Sequence, residues 1–253
     1  MLDVNYIFEG SGDKTIVFIH GLSDSLEYWR RLSVMLSDDY NVLSYDLRGH
    51  GESEWGDEKF TMDLLAQDLH DLFLKLNIEK ASLIALSLGG NIALTFALKY
   101  PELVDKLVLM SSFSENDDNL TSKFNEFKKA INISYEAFFD SIIKYVIPQE
   151  IYDENREVLE TVKNMKAETA NIKAIENGID IGMEFNVTNQ LSKIENETLI
   201  LKGRDDDIIS LNLAQILNDN IKDSKLIIFD DTKHDLLIES NVSEILKIIR
   251  QFV

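Results

Sequence analysis

A chain of 253 residues, 45% hydrophobic and 28% charged, has the composition of a folded protein and is long enough for one α/β domain with an insertion. It contains no cysteine, which excludes disulfides, thiolate metal sites and a cysteine nucleophile. A formal net charge of −20 disfavours nucleic acid, anionic membranes and polyanionic substrates, so the expected partner is a small molecule. The N-terminal segment from Met1 has no basic stretch followed by an apolar one, and no apolar run reaches membrane-spanning length. A cytoplasmic location is the default expectation.

Residues 4–8 read as an edge strand and Glu9 to Asp13 as a turn. Residues 15–20 form a continuous β-branched and aromatic run, typical of a strand covered on both faces. A helix fits 26–36, with Trp29, Leu32 and Leu36 on one side. The next strand, 41–45, runs into Asp46-Leu-Arg-Gly-His-Gly-Glu-Ser53. A helix at 61–76 carries Leu65, Leu69, Leu72 and Leu76 at helical spacing. Residues 81–86 are an apolar strand that ends at Ser87, and a helix follows over 91–98 until Pro101. Residues 106–110 are a further strand.

Strand–helix alternation to this point predicts an α/β fold with a mostly parallel central sheet and helices on both faces. From 113 to 185 the strand signal disappears. Helical patterns cover 134–147 and 153–177, with Gly178 placed to end the second. The expected organisation is therefore an α/β core in two parts, 1–112 and 186–253, interrupted by a helical cap at 113–185. Alternation resumes with a strand at 197–202, a helix at 211–217, a strand at 225–229 and a terminal helix at 241–252.

Ligands of open parallel sheets sit outside the carboxyl ends of the strands. Ser87, the acidic run Asp205-Asp-Asp207 and His234 each follow directly on a strand, so they share that edge whatever the strand order. Between a strand and a helix, a serine can be held out as a nucleophile or can simply cap the helix.

Their order along the chain, Ser then acid then His, resembles the α/β-hydrolase family, in the branch with a helical cap between its sixth and seventh strands. His20-Gly21-Leu22 resembles the H-G-x oxyanion loop, and the loop from Asp46 to Ser53 resembles D-x-R-G-x-G-x-S. Gly203-Arg-Asp-Asp206 resembles the G-x-x-D acid loop, and His234 to Glu239 the H-x-x-x-x-E segment. Two positions depart from the pattern: Ala85 replaces a Gly at the nucleophile elbow, and Lys233 stands where Gly often precedes the His.

The resemblance implies Ser87 as nucleophile, His234 as general base and acid, and Asp206 as the orienting carboxylate. It implies backbone N–H groups of Leu22 and Leu88 as the oxyanion hole. Asp205 and Asp207 are the alternatives to Asp206. Asp230, Asp231 and Asp235 read as surface charge, His20, His50 and His70 as structural or solvated, and Arg48 as an anchor for its loop. No cofactor or metal is implied.

A serine at the elbow points to hydrolysis of a small carboxylic ester or lactone through an acyl-enzyme, with thioesters as near relatives. Two alternatives use the same residues: C–C bond hydrolysis of a diketone-type substrate, and ligand binding or signalling without fast turnover. A keto-acid substrate would want a cation in the pocket, for which Lys123, Lys128 and Lys144 are candidates by location. Phe138, Phe139, Tyr145 and Met165 of the cap are candidates for contact with an apolar substrate.

Overall fold

The β-branched runs build one seven-stranded sheet. The computed structural model describes residues 2–56 and 59–253; Met1, where the N-terminal segment read above begins, lies outside them. The strands are β1 (Tyr6–Gly10), β2 (Thr15–Ile19), β3 (Asn41–Tyr45), β4 (Ala81–Leu86), β5 (Val104–Met110), β6 (Thr198–Gly203) and β7 (Ser224–Phe229). Their order is β1-β3-β2-β4-β5-β6-β7. Only β1 runs antiparallel to its neighbour, and the other pairs are parallel.

Both faces of the sheet are covered, which is why the central strands are apolar throughout rather than alternating. In β4, Leu83 and Ala85 join the core with Phe73 and Phe96, while Ile84 and Leu86 join the opposite core with Phe18 and Trp29. The first core packs under α2 (Met62–Leu76) and α3 (Leu88–Lys99); the second packs under α1 (Arg30–Leu36) and the terminal helix α10 (Glu239–Phe252). Trp29, in a 3₁₀ turn before α1, stacks on Phe18 with ring centroids 4.7 Å apart. Thr61 caps α2 by accepting from the Leu64 N–H at 3.2 Å, a contact worth about 1 kcal/mol.

Five α-helices lie between β5 and β6: α4 (Asp118–Ile131), α5 (Tyr135–Val146), α6 (Gln149–Glu154), α7 (Arg156–Thr169) and α8 (Ile172–Glu184); α9 (Leu211–Asn220) follows β6. The insertion therefore follows the fifth strand of this sheet, where the family scheme counts a sixth. It is more divided than its sequence pattern suggests. Helix α4 starts at a polar stretch because the Asp117 carboxylate caps it, accepting from the Leu120 N–H at 2.7 Å. Residues 153–177 are not one helix. The chain breaks at Ala170 and Asn171, and the Asn171 side chain starts α8 by accepting from the Ala174 N–H. Gly178 does not end a helix. It sits inside α8, where an added Cβ would come within 2.5 Å of Leu22 Cδ1, so its lack of a side chain serves packing against the core.

Parallel pairing aims the carboxyl ends of β2, β4, β6 and β7 at one edge. The C-terminus of α5 meets that edge directly. Its carbonyls at Lys144, Tyr145 and Val146 accept from Lys233 Nζ at 2.6 Å, the His234 N–H at 3.4 Å and the Asp235 N–H at 2.9 Å. Lys233, the departure from the family's Gly, thus supplies a cation to a helix C-terminus, where cations are favoured. None of the helices among the described residues is long and apolar enough to cross a membrane.

Candidate active site

Ser87 is the single residue between β4 and α3, and it turns the chain with φ 53° and ψ −120°. Positive φ in a non-glycine residue is strained and persists only where its surroundings impose it. Here the Ser87 N–H donates to the Met110 carbonyl at 2.9 Å, and the Ser87 carbonyl accepts from the Gly90 N–H at 2.8 Å. Gly89 makes the turn possible, because a Cβ there would lie 2.4 Å from the Ile19 carbonyl oxygen. Ala85 packs fully buried in the core, and the turn closes without the family's first Gly. Among the described residues the Ser87 side chain makes no capping hydrogen bond, so the N-cap explanation of this serine does not hold.

Of the three consecutive acids, only Asp206 turns inward; Asp205 and Asp207 are exposed. Its Oδ2 lies 3.0 Å from His234 Nδ1 and 3.2 Å from Lys202 Nζ. Its Oδ1 accepts from the N–H groups of Ile208 at 2.9 Å and Ile209 at 3.0 Å. Burial alone would raise the Asp206 pKa. His234, Lys202 and the Ile209 N–H outweigh it and hold the carboxyl below the ordinary aspartate value. The loop of His234 is fixed from the core side as well, since Ser111 Oγ donates to the His234 carbonyl at 2.9 Å.

Ser87 and His234 line one cavity of about 190 Å³, together with Leu22 and Leu88. The backbone N–H groups of Leu22 and Leu88 donate to no group among the described residues. Leu88 opens α3, where the first N–H groups have no intrahelical partner and the helix dipole favours negative charge. Most of the wall is apolar, built by Phe113, Phe124, Phe127, Phe138, Phe139 and Ile142. Tyr145 does not line it, and Met165 is 65% exposed on the outside.

The cavity has a polar end that sequence reasoning missed. Asp235, expected on the surface, lines the cavity and accepts from Tyr28 Oη at 2.7 Å and from the Leu237 N–H at 2.8 Å. Burial raises its pKa despite both donors, and burial followed by Asp235 holds the Tyr28 hydroxyl far above the ordinary tyrosine value. Asp24 lies at the same end and pairs with Lys166 of α7 at 3.1 Å. Tyr28 and Asp235 are far apart along the chain, and no local pattern signals their meeting.

The remaining candidates have structural partners. Both ring nitrogens of His20 are used by backbone: Nδ1 is 2.8 Å from the Gly21 carbonyl, and Nε2 accepts from the Leu47 N–H at 2.9 Å. Burial lowers the pKa of His20 and takes that of His50 to about 4. His70 stacks on Tyr100. Arg48 grips Asp68 of α2 with two hydrogen bonds at 2.7 and 2.9 Å. Lys123 lies over the Tyr145 ring, Lys128 pairs with Asp180 and Lys144 with Glu126; none of the three lines the cavity. No group of three or more His, Asp or Glu side chains among the described residues is arranged to hold a metal ion.

Several known proteins resemble this chain over most of its length. A putative carbamate hydrolase, RutD, of Rhizobium rhizogenes is 27% identical over 225 residues, covering 87% of this chain and 86% of its own. A 2-hydroxy-6-oxononadienedioate/2-hydroxy-6-oxononatrienedioate hydrolase of Pseudomonas putida is 26% identical over 247 residues, covering 92% and 86%. An uncharacterized protein of Mycobacterium tuberculosis is 36% identical over 103 residues only, 41% of this chain and 30% of its own length. The crystal structure of the enol-lactonase from Burkholderia xenovorans LB400 superposes with a TM-score of 0.88 at 19% identity, covering 99% of this chain and 96% of that one. The family model described as alpha/beta hydrolase fold matches residues 14–241. With that match over most of the chain, and a serine held at positive φ between strand and helix, this chain belongs to the alpha/beta hydrolase family.

Proposed function

We propose that this hydrolase is a serine esterase or lactonase acting on a small, uncharged acyl substrate through an acyl-enzyme. The reading is carried by one observation: a buried Asp206–His234 hydrogen bond borders the same cavity as a strained serine whose side chain makes no capping hydrogen bond among the described residues. With Nδ1 held by Asp206, Nε2 is the nitrogen left to act as base. Ser87 Oγ attacks the substrate carbonyl carbon as its proton passes to His234 Nε2. The Leu22 and Leu88 N–H groups receive the oxyanion, each worth about 3 kcal/mol of barrier. The protonated imidazole then gives its proton to the departing alkoxide, and water releases the acyl group by the same path in reverse.

Helices α4–α8 act in this reading as a lid, since α4 and α5 supply the aromatic wall. That wall suits an apolar acyl chain. The charge of the polar end argues against a dicarboxylate such as the one named for the Pseudomonas putida relative. The lysine that lines it among the described residues, Lys166, is already paired with Asp24, and Asp235 adds a second carboxyl.

A fluorophosphonate probe and a panel of short- to long-chain esters test the proposal. Labelling at Ser87, ester turnover, and loss of both in Ser87→Ala are the expected results. Absence of labelling, or turnover that survives Ser87→Ala, refutes it. Labelling without turnover of any ester moves the substrate to another acyl class.

A further inference from the structure

Lys202 sits near the end of β6 and points behind Asp206 instead of toward solvent. Its side chain is 1% exposed, and its ammonium has two oxygen neighbours, the Gly203 carbonyl at 2.6 Å and Asp206 Oδ2 at 3.2 Å. An ammonium is among the groups most costly to bury, and an apolar side chain at such a strand position is often neutral or stabilising by comparison. Packing therefore does not account for a lysine here.

Its effect on Asp206 does. A carboxylate has about four lone-pair directions. Asp206 fills them with the Ile208 and Ile209 N–H groups on Oδ1, and with His234 Nδ1 and Lys202 Nζ on Oδ2. One oxygen thus faces an imidazole and an ammonium together. We propose that Lys202 is a positioning residue for the Asp206–His234 pair, its charge fixing Oδ2 and opposing protonation of the imidazole, so that the base stays free at lower pH. Its catalytic meaning rests on the serine-hydrolase reading above; its electrostatic meaning does not.

The sign follows from the charges around the pair. Forming an imidazolium places a second cation on the oxygen that Lys202 already neutralises, so the ammonium makes that step harder. The carboxyls of Asp205 and Asp207, on the same loop, and of Asp235, beside His234, act in the opposite sense. None of these three hydrogen-bonds to Lys202 among the described residues. Burial lowers the Lys202 pKa from its ordinary value against the pull of Asp206, Asp207 and Asp205. Asp206 retains three further donors when Lys202 is removed, so the charge can be deleted without stripping the carboxylate of its partners.

The test is an NMR titration of the His234 ring, assigned with His234→Gln, in the native protein, Lys202→Met and Lys202→Gln. The pH dependence of fluorophosphonate labelling at Ser87 is followed beside it. Removing the cation eases imidazolium formation, so the His234 midpoint rises by about one pH unit in both variants. The acid limb of labelling moves up by the same amount, while labelling well above the limb changes by less than about tenfold. Glutamine keeps a hydrogen-bond donor without the charge, which separates charge from packing and serves if methionine prevents folding. An unmoved midpoint in Lys202→Gln overturns the proposal whatever the labelling does. A raised midpoint in protein that never labels at Ser87 leaves the coupling standing and overturns the serine-hydrolase reading instead.

Discussion

Replacing Asp206 by Asn exchanges one carboxylate oxygen for an NH₂ group, and the surrounding donors decide how the amide must sit. The Ile208 and Ile209 N–H groups, at 2.9 and 3.0 Å, need an acceptor, so the amide oxygen takes the Oδ1 place. Its NH₂ then faces His234 Nδ1 and Lys202 Nζ, the two groups now 3.0 and 3.2 Å from Oδ2. Donor would meet donor at both. The imidazole escapes by moving its proton to Nε2, which removes the base from the serine side of the ring. A wrong tautomer of this kind lowers turnover by about 10⁴, equivalent to about 5 kcal/mol of barrier. Stability falls too, because one member of a buried charge pair is lost. Lys202 keeps the Gly203 carbonyl, so the lower end of the usual range applies, about 3 kcal/mol, or roughly 6–12 °C in Tm. Asp206 has a folded-state pKa below its unfolded value, so its stabilisation is complete above about pH 4 and fades as pH falls further. The Tm gap between native protein and Asp206→Asn should close in acid. Steady-state kinetics with a chromogenic short-chain ester and melting curves across pH measure both effects. Turnover within tenfold of the native protein refutes the assignment, as does equal damage from Asp205→Asn or Asp207→Asn.

Two further outcomes follow from the polar end of the cavity. Asp235 is the opposite case to Asp206: its folded-state pKa is raised, so above that pKa the ionised group costs stability, and the cost disappears as pH falls through it. Asp235→Asn, which can still accept from Tyr28 and Leu237, should raise Tm by roughly 2–4 °C near neutrality, with the gain vanishing in acid; a variant that melts lower at neutral pH contradicts this. Lys166, the lysine lining that end among the described residues, is taken up by Asp24 and is not free to meet an acyl carboxylate. Ethyl valerate should therefore exceed monoethyl succinate in kcat/KM by at least about tenfold, or about 1.4 kcal/mol, and a preference for the succinate would remove the uncharged-acyl reading.

The sheet was legible because parallel strands covered on both faces are spelled as unbroken apolar runs, as in β2 and β4. Parallel pairing also made it possible to assign Ser87, Asp206 and His234 to one edge before any strand order was known. Three kinds of feature were not legible. Helix α4 was hidden by the polarity of its own cap, Asp117, although Leu120, Phe124 and Phe127 carry the buried stripe. The break between α7 and α8 has neither Gly nor Pro to mark it, and Gly178 misled because its reason lies in Leu22, on another element. Asp235, Lys166 and Lys202 owe their environments to partners brought near by folding, so their burial and pairing have no local spelling. For Lys202 the signal available was a lone cation ending an otherwise apolar strand.

The contact of α5 with the histidine loop has a consequence for how this molecule can be re-engineered. The carbonyls of residues 144–146 are bonded by residues 233–235, so the insertion is spliced into the main-chain support of His234. A graft that exchanges these helices for those of another family member would strip that support unless the junction travels with them. Tuning what the protein accepts is therefore safer from the middle of α4 and α5, where the aromatic wall can be redrawn without touching the seam.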